Sequence, residues 1–273
     1  MPDIFDPYLD RWQLIPDGDR ITSHAGNLLP VLKDGQQAML KVSHEPDEQA
    51  GAAILEYWAG EGAAPVLARE GDGLLLERAT GPRSLSQMAR GTQDDEATLI
   101  LCEVARELHR PRAKVLPELV PLEIWFRELA PAADNHGGIL RRCHQVAEKL
   151  LADQSQIVPL HGDLHHDNVL DFGEQGWLAI DPKGLWGERA FDYANIFTNP
   201  DLADPSQHVA IRPGVFARRL DLVTRASGLE RRRLLEWILA WTGLSAAWYL
   251  GDDHPDAAID LAIAEQAAAA LDN

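Results

Sequence analysis

The sequence predicts an α+β fold in which a small antiparallel sheet carrying one helix precedes a larger, mostly helical part. Apolar and β-branched runs separated by turn residues fill the first third of the chain, and helical spacing dominates from Ser84 onward. Two short apolar strands interrupt the helices between residues 158 and 184. With 273 residues, of which 45% are hydrophobic, the chain is long enough to bury a substantial core.

The first strands are predicted from two apolar segments on either side of a turn. The runs HAGNLLPVLKDG and QAMLKV flank the pair Asp34-Gly35, which favours a tight hairpin. The next segment, EQAGAAILEYWAGEGA, has Ala53, Leu55 and Trp58 at roughly helical spacing, and APVLARE and LLLERATG return to a strand pattern. We therefore expect one helix embedded in a sheet of about five strands.

Helical patterns extend over most of the remaining chain. DDEATLILCEVARELHRP begins with acidic residues and ends at a proline, as helices often do. The strands VLDF and WLAI, joined by the turn GEQG, are the exception. The longest uncharged run, residues 237–251, is shorter than the roughly 20 residues needed to cross a bilayer, so we expect a buried core helix there.

Composition and charge restrict the partners of the protein. A formal net charge of −18 disfavours nucleic acid and anionic membranes as partners and permits attraction of cationic small molecules. Cys102 and Cys143 fall in helical segments, which argues against a disulfide framework, and the acidic start lacks the pattern of a signal peptide. We therefore expect a soluble, cytoplasmic protein, and the oligomeric state stays open.

The polar segment LHGDLHHDNVL, residues 160–170, is the strongest candidate for a functional site. A zinc site is one interpretation, but His161, His165 and His166 lack the usual ligand spacing and no later Cys/His pair completes a tetrahedral set. A polar turn without a function is a second interpretation, because Asp and Asn are common in loops.

Phosphoryl transfer is the interpretation that accounts for more of the residues. That reaction needs a carboxylate beside the acceptor hydroxyl group and side chains that hold Mg²⁺. Asp163 and Asn168 are five positions apart, which is the spacing of the kinase catalytic loop. Asp181 follows 13 residues later at the end of the second predicted strand, so the hairpin should bring Asn168 and Asp181 side by side.

Three segments resemble the aminoglycoside phosphotransferase family, and most closely its streptomycin and hydroxyurea phosphotransferase branch: LHGDLHHDNVL, AIDPKGLWGERAFDYAN and EYWAGEGAAPVLAREGDGLLLERATG. The resemblance runs from about Lys41 to the end of the chain. It implies a protein-kinase-like bilobal fold, with a nucleotide-binding lobe in residues 1–78 and a helical catalytic and acceptor-binding lobe in residues 79–273. It also implies ATP as the donor, Mg²⁺ as the cofactor and a small-molecule hydroxyl group as the acceptor.

The same resemblance assigns roles to individual residues. Asp163 is the implied catalytic base, Asn168 and Asp181 are the implied Mg²⁺ ligands, and Lys41 is the implied partner of the ATP phosphates. The long stem of a lysine lets its charge reach phosphate while its base stays packed. An edge-strand lysine that only prevents aggregation is the alternative for this position.

Residues on the predicted helix and at its following strand complete the nucleotide site. Glu48 and Glu56 are both candidates to pair with Lys41, and Glu48 is preferred because it keeps the spacing of the family to GEGA without a gap. The backbone around Glu77 and Ala79, in the segment that would connect the lobes, is expected to bind adenine.

The loop that would cover the phosphates departs from the kinase pattern. The segment TSHAGNLL has one glycine, Gly26, and no G-x-G-x-x-G. Gly26 with Ser23 and Asn27 can still offer backbone N–H groups to phosphate, and the choice of ATP over GTP stays open.

Other acids have roles that the sequence defines less closely. Asp192 resembles the family acid that follows the metal motif, and we expect it to brace the catalytic loop. Glu188 and the pair Asp252-Asp253 are candidate partners for ammonium or guanidinium groups of an acceptor, with solvated surface positions as the alternative.

The sequence thus predicts an ATP- and Mg²⁺-dependent kinase that phosphorylates, and so inactivates, a streptomycin-like aminoglycoside. A housekeeping kinase of the same fold is one alternative, because the motifs specify the chemistry and the helical lobe specifies the acceptor. A non-catalytic kinase-like binding protein is another. Such a protein would be expected to lack Asp163, Asn168, Asp181 or Lys41, and all four are present.

Overall fold

The structure is a computed structural model that describes residues 3–23, 26–204, 206–251 and 257–273. The first part of the chain forms two helices and six strands. They are α1 (Asp6–Trp12), β1 (Ile15–Pro16), β2 (Ile21–Ser23), β3 (Gly26–Lys33), β4 (Gln36–Val42), α2 (Pro46–Trp58), β5 (Val66–Glu70) and β6 (Gly73–Glu77).

All six strands belong to one antiparallel sheet in the order β1-β3-β4-β6-β5, with β2 paired to β3. The predicted hairpin is confirmed, because Lys33 pairs with Gln36 across the turn at Asp34-Gly35. Both turn residues have positive φ angles, 50° and 80°, as the tight hairpin turn requires. The sheet has more strands than the expected five because the short strands β1 and β2 also pair with β3.

Helix α1 was not predicted from the sequence. It begins with Asp6 and Pro7, which suit the first turn of a helix, and it has only seven residues. Tyr8 and Trp12 pack against a small core formed by the outer part of the sheet, including Phe5. Most of the stability of so short a helix comes from this packing, which a local pattern cannot reveal.

The remaining chain is mostly helical. Its elements are α3 (Leu85–Arg90), α4 (Asp94–Leu108), β7 (Val120–Pro121), α5 (Leu122–Trp125), α6 (Leu129–His136), α7 (Gly138–Ala152), β8 (Ile157–Leu160), β9 (Val169–Asp171), β10 (Trp177–Ala179), β11 (Leu185–Glu188), α8 (Ala190–Ala194), α9 (Val215–Ser227), α10 (Arg231–Gly251) and α11 (Ala257–Leu271). The predicted hairpin of β9 and β10 is confirmed, while the small sheet β7-β11-β8 was not expected.

The apolar run at residues 237–251 lies within α10, whose central residues are buried against α7, α8 and α11. The prediction of a core helix is confirmed. No helix in the described ranges is long and apolar enough to cross a membrane. Cys102 in α4 and Cys143 in α7 are buried free thiols, and burial raises the pKa of each to about 12.

Two hydrophobic cores lie on opposite sides of the sheet. The small core lies on the outer side of the sheet, whereas one large core combines Ile54 and Trp58 of α2 with the helices that follow. The indole N–H of Trp58 donates to the carbonyl oxygen of Leu108 at 3.1 Å. Helix α2 is therefore packed against both parts of the chain, and the boundary after residue 78 stays a prediction.

Candidate active site

The loop between β8 and β9, residues 161–168, carries the predicted catalytic residues and is held from below by Asp192. This carboxylate is fully buried and accepts hydrogen bonds from the backbone N–H groups of His161 at 2.9 Å and Gly162 at 2.8 Å. His109 Nε2 lies 2.8 Å from Oδ2 of the same carboxylate and completes the arrangement. Burial alone would raise the pKa of Asp192, but the hydrogen bond and charge of His109 outweigh it and lower the pKa. Asp192 thus braces the loop, as we expected.

His161 is a structural residue of the loop. Its Nε2 donates to the carbonyl oxygen of Ile180 at 2.8 Å, so its Nδ1 is the acceptor for the backbone N–H of Asp163 at 3.2 Å. Burial lowers the pKa of His161, which keeps the ring neutral and preserves this pattern of one donor and one acceptor. The ring therefore ties the base of the loop to the strand β10.

Asp163 and Asn168 contact each other across the loop. The amide Nδ2 of Asn168 donates to the backbone oxygen of Asp163 at 2.8 Å and to its Oδ2 at 3.2 Å. His165 Nε2 lies 3.7 Å from Oδ1 of the same carboxylate. The side chain of Asp163 remains 31% exposed. Its orientation is thus fixed while one side stays open to a small molecule.

Asp181 follows β10 and lies beside Asn168 as the hairpin requires. The backbone N–H of Ile180 donates to the carbonyl oxygen of Asn168 at 2.9 Å. Asp181 has a positive φ of 54°, and its Oδ1 is 2.8 Å from Nζ of Lys41. A local backbone conformation that is uncommon for an L-residue therefore directs this carboxylate toward the sheet.

The chemistry of these donors fits Mg²⁺ rather than zinc. Among the described residues, no group of three or more His, Cys, Asp or Glu side chains could hold a metal ion. The Nδ2 of Asn168 is occupied by Asp163, which leaves the amide oxygen as its atom for a cation. An amide oxygen and a carboxylate are hard ligands, and Mg²⁺ typically takes one or two such protein ligands together with water and phosphate oxygens.

Lys41 is buried at the inner face of the sheet between two acids. It forms ion pairs with Glu48 and with Asp181. Burial alone would lower the pKa of Lys41, but the charges of Asp181 and Glu48 outweigh it and raise the pKa, so the amine is protonated. Glu56, the other candidate, instead contacts Arg69 at 3.0 Å on the outer side of α2.

The remaining predicted nucleotide-binding residues lie at the edge of the same region. The backbone N–H of Glu77 donates to the carbonyl oxygen of Pro65 at 3.0 Å, so this N–H is already engaged within the protein. Ala79 is half-buried against the β9–β10 hairpin. Gly26 has a φ of +126°, and a Cβ at this position would lie 2.8 Å from the carbonyl oxygen of Val42. Gly26 therefore brings β3 close to the end of the strand that carries Lys41.

A cleft of about 630 Å³ opens on the other side of Asp163. Its walls include three tryptophans, Trp125 of α5 and Trp241 and Trp248 of α10. The ring of Trp248 packs edge to face against Trp125 at 5.5 Å and Trp241 at 5.7 Å between centroids. The volume lies within the range of small-molecule sites, and the rings form an aromatic wall of the cleft that Asp163 also lines.

Four residues of this region, the three tryptophans and Lys183, were not found from the sequence. The tryptophans were expected mainly in the core, because a single sequence cannot show which face of α10 borders a cleft. Lys183 also lines the cleft, with its Nζ 3.9 Å from Oε1 of Glu48. Its position two residues after Asp181 was the signal that could have revealed it.

The acids proposed as acceptor ligands are not confirmed. Glu188 is buried and paired with Arg233, and its Oε2 accepts the backbone N–H of Ser155 at 3.0 Å. Burial alone would raise the pKa of Glu188, but the hydrogen bond from Arg233 lowers it. Glu188 is therefore neither an acceptor ligand in the cleft nor a solvated surface acid, because the buried carboxylate already has internal partners. The pair Asp252-Asp253 lies outside the described residues.

Comparison with known proteins agrees with this geometry. A family described as aminoglycoside/hydroxyurea antibiotic resistance kinase matches residues 11–253. The chain is 52% identical over 267 residues to a streptomycin 3''-kinase of Klebsiella pneumoniae, covering 97% of this chain and all of that protein. It is 31% identical to a streptomycin 6-kinase of Streptomyces griseus, covering 89% of this chain and 81% of that protein.

Solved structures show the same fold at low sequence identity. A thermostable mutant of the aminoglycoside phosphotransferase APH(4)-Ia, in a ternary complex with AMP-PNP and hygromycin B, matches with a TM-score of 0.68 and 14% identity, covering 97% of this chain and 98% of that chain. A choline/ethanolamine kinase family protein from Mesorhizobium loti matches with a TM-score of 0.65 and 17% identity, covering 98% and 91%. The predicted bilobal kinase fold is thereby confirmed. From the match over residues 11–253, the chain belongs to the aminoglycoside/hydroxyurea antibiotic resistance kinase family.

Proposed function

We propose that this protein transfers the γ-phosphoryl group of ATP to the 3''-hydroxyl group of streptomycin and thereby inactivates the antibiotic. The observation that carries the proposal is the position of Asp163, which is fixed by Asn168 and exposed to the aromatic cleft. The choice of the 3'' position follows the relative at 52% identity, whereas the two streptomycin 6-kinases are 31% and 32% identical to this chain.

The acceptor hydroxyl group binds beside Asp163, on the side of the tryptophans. Its oxygen forms a bond to the γ-phosphorus of ATP as the bond from that phosphorus to the bridging oxygen breaks, and ADP leaves with the electron pair. Asp163 orients the hydroxyl group and takes its proton late in a loose transition state. This proton transfer contributes a factor of about 10² to 10⁴ to the rate.

The donor phosphates lie on the side of Lys41. Its ammonium group is held between Glu48 and Asp181, so its charge is placed before the nucleotide arrives. Asn168 and Asp181 would hold Mg²⁺, which supplies positive charge to the phosphate oxygens when it is bound. Glu77 and Ala79 bind adenine through their backbone groups, and Gly26 lets β3 approach the phosphates.

The acceptor cleft suits a cationic, hydroxyl-rich molecule. The net charge of −18 favours the approach of such a molecule, and aromatic faces attract ammonium and guanidinium groups within about 6 Å. The free thiols of Cys102 and Cys143 are compatible with the reducing cytoplasm, where we place the reaction.

The test is an ADP-release assay on the purified protein with Mg²⁺ and ATP, using streptomycin, hygromycin B, hydroxyurea and choline as acceptors. We expect turnover with streptomycin and a product that ³¹P and ¹H NMR identify as the 3''-phosphate. A product phosphorylated at position 6 would refute the regiochemistry, and turnover with choline or hydroxyurea alone would refute the acceptor. Substitution of GTP for ATP in the same assay determines the donor.

A further inference from the structure

The geometry points to Lys183 as a second cationic residue of phosphoryl transfer, which contacts the group in transit between ATP and the acceptor. This inference rests on the proposed kinase function and adds a residue to it. Lys183 lines the acceptor cleft together with Asp163, and its Nζ lies 3.9 Å from Oε1 of Glu48. The other carboxylate oxygen of Glu48 contacts Lys41. The ammonium group of Lys183 therefore lies between the acceptor side and the phosphate side of the site.

The backbone of Lys183 is fixed by contacts with both lobes. Its N–H donates to the carbonyl oxygen of His161 at 2.7 Å, which attaches it to the base of the catalytic loop. The neighbouring residues pack against α2 without room for a side chain. A Cβ at Gly184 would lie 2.8 Å from the carbonyl oxygen of Ala50, and one at Gly51 would lie 2.2 Å from that of Pro182. These contacts hold the start of the Lys183 side chain in one place.

The ammonium group itself has unused hydrogen-bonding capacity. Within the described ranges, the polar contact of this ammonium group is the ion pair with Glu48, and its distance of 3.9 Å is longer than a hydrogen bond. Its side chain is 24% exposed, compared with 4% for Lys41. Lys41 is held by two acids, whereas Lys183 can turn toward a ligand on its flexible stem. Lys183 is thus the less enclosed and less closely paired of the two lysines.

The charges of the site explain the need for this second lysine. Three carboxylates, Glu48, Asp163 and Asp181, surround a group that is itself negative, and Lys41 is closely engaged with two of them. In a loose transition state, the negative charge of the phosphoryl group is spread over its three equatorial oxygens. Cations placed around these oxygens stabilise the transition state more than the ground state.

In the reaction, Lys183 serves as a hydrogen-bond donor and takes no part in the proton transfer. The bond between the γ-phosphorus and the bridging oxygen breaks, ADP takes the electron pair, the acceptor oxygen bonds to phosphorus, and Asp163 receives the proton of the hydroxyl group. The Lys183 ammonium donates hydrogen bonds to the transferred oxygens and returns to Glu48 after the phosphorylated product leaves.

The experiment compares Lys183→Met, which removes the charge at similar size, with Lys183→Arg, which keeps it. Calorimetry measures the affinity of each for ADP and for ADP with aluminium fluoride, a mimic of the phosphoryl group in transit, both in the presence of Mg²⁺. We expect Lys183→Met to bind ADP within about threefold of the unsubstituted protein. We expect its affinity for ADP with aluminium fluoride to fall tenfold or more and its kcat to fall about 10² to 10³-fold, as for loss of one charge-stabilising donor. Lys183→Arg should recover part of both losses.

The matched control is Lys149→Met, which removes an exposed lysine in the last turn of α7 and should change none of these quantities. Equal affinity of Lys183→Met and the unsubstituted protein for ADP with aluminium fluoride would overturn the inference. Failure of the unsubstituted protein to prefer this complex over ADP would also count against it. Because the calorimetry needs no acceptor, a wrong choice of streptomycin would leave this result intact, and the two proposals fail separately.

Discussion

The two sides of Asp163 are built in different ways. Toward the nucleotide, short ion pairs and hydrogen bonds between buried and half-buried groups fix Lys41, Asp181 and Asn168. Toward the acceptor, the wall includes three tryptophan rings packed edge to face. On the nucleotide side, directional bonds fix the positions of the charged groups. On the acceptor side, the aromatic rings offer surface area and shape for binding a small molecule. We therefore expect that a few substitutions in the cleft can change the acceptor while the phosphoryl-transfer chemistry stays the same.

Among the substitutions that distinguish the two sides, removing the charge of Lys41 should lower turnover the most. Lys41→Met leaves Glu48 and Asp181 facing each other without their shared cation. We expect kcat to fall about 10² to 10³-fold, because one preorganised charge is lost at the phosphates. Steady-state kinetics with ATP measures the loss, and calorimetry shows whether ATP affinity falls as well.

Lys33→Met, at the hairpin end of β3, is the control and should behave as the unsubstituted protein. Normal turnover in Lys41→Met would contradict the nucleotide side as described.

Asp192→Asn should lower the free energy of unfolding, because Asp192 supports the loop that carries Asp163. An asparagine amide cannot accept all the hydrogen bonds that the carboxylate receives from His161, Gly162 and His109. Each buried group left unsatisfied costs about 1–3 kcal/mol in the free energy of unfolding. Urea unfolding followed by tryptophan fluorescence measures this change. Asp221→Asn removes an exposed acid and should cost less than about 1 kcal/mol. Equal stability of the two variants would contradict the bracing role of Asp192.

Trp248→Ala should affect the acceptor and leave the nucleotide side unchanged. The substitution removes the ring that joins Trp125 and Trp241 in the wall of the cleft. We expect the KM for streptomycin to rise about tenfold, equivalent to about 1.4 kcal/mol, with the KM for ATP within about twofold. Trp12→Ala, which removes a half-buried tryptophan on α1, is the control. A rise in the KM for ATP equal to that for streptomycin would show that the two sides are not separate.

The acceptor side is also supported by the buried ion pair of Arg219 and Asp94, whose contribution to stability should depend on pH. Arg219 donates to the carbonyl oxygens of Ile196 and Asn199 at 2.6 Å each and pairs with Asp94, so it holds the loop whose Asn199 lines the cleft. Burial alone would raise the pKa of Asp94, but the hydrogen bonds and charges of Arg219 and Arg218 outweigh it and hold the pKa below its usual value.

A lowered pKa in the folded state means that this stabilisation is complete above the ordinary pKa of the acid and is lost as the pH falls through the lower value. The difference in unfolding free energy between the unsubstituted protein and Asp94→Asn should therefore narrow between pH 6 and pH 3. Urea unfolding at both pH values measures it, with Asp95→Asn, which removes a more exposed acid, as the control. A constant difference would show that the charge of Asp94 contributes nothing to stability.

The nucleotide side could be predicted from the sequence because its residues come from local patterns. The hairpin β9–β10 fixes the relation between Asn168 and Asp181 through a short turn, and the spacing of Asp163 and Asn168 lies within one loop. The preference for Glu48 over Glu56 came from the family spacing to GEGA, which the resemblance supplied. Short-range geometry sets the other two relations, so the order of residues carries most of the information there.

The acceptor side could not be predicted because it depends on how distant helices pack. Trp125 and Trp248 are more than 100 positions apart and meet only when α5 and α10 are placed together. Glu188 stayed open as an acceptor ligand or a surface acid because a lone sequence does not show that Arg233 neutralises it. The helix α1 and the sheet β7-β11-β8 were missed for a similar reason, since tertiary contacts rather than local propensity determine them.

The most direct test of the account is to measure both Mg²⁺-ATP affinity and streptomycin-dependent turnover in Asp163→Asn. The substitution keeps the shape of the side chain and removes the proton acceptor that faces the cleft. We expect ATP affinity within about threefold of the unsubstituted protein and a loss of turnover of about 10² to 10⁴-fold. Turnover close to that of the unsubstituted protein would contradict the assignment of Asp163 as the base between the two sides.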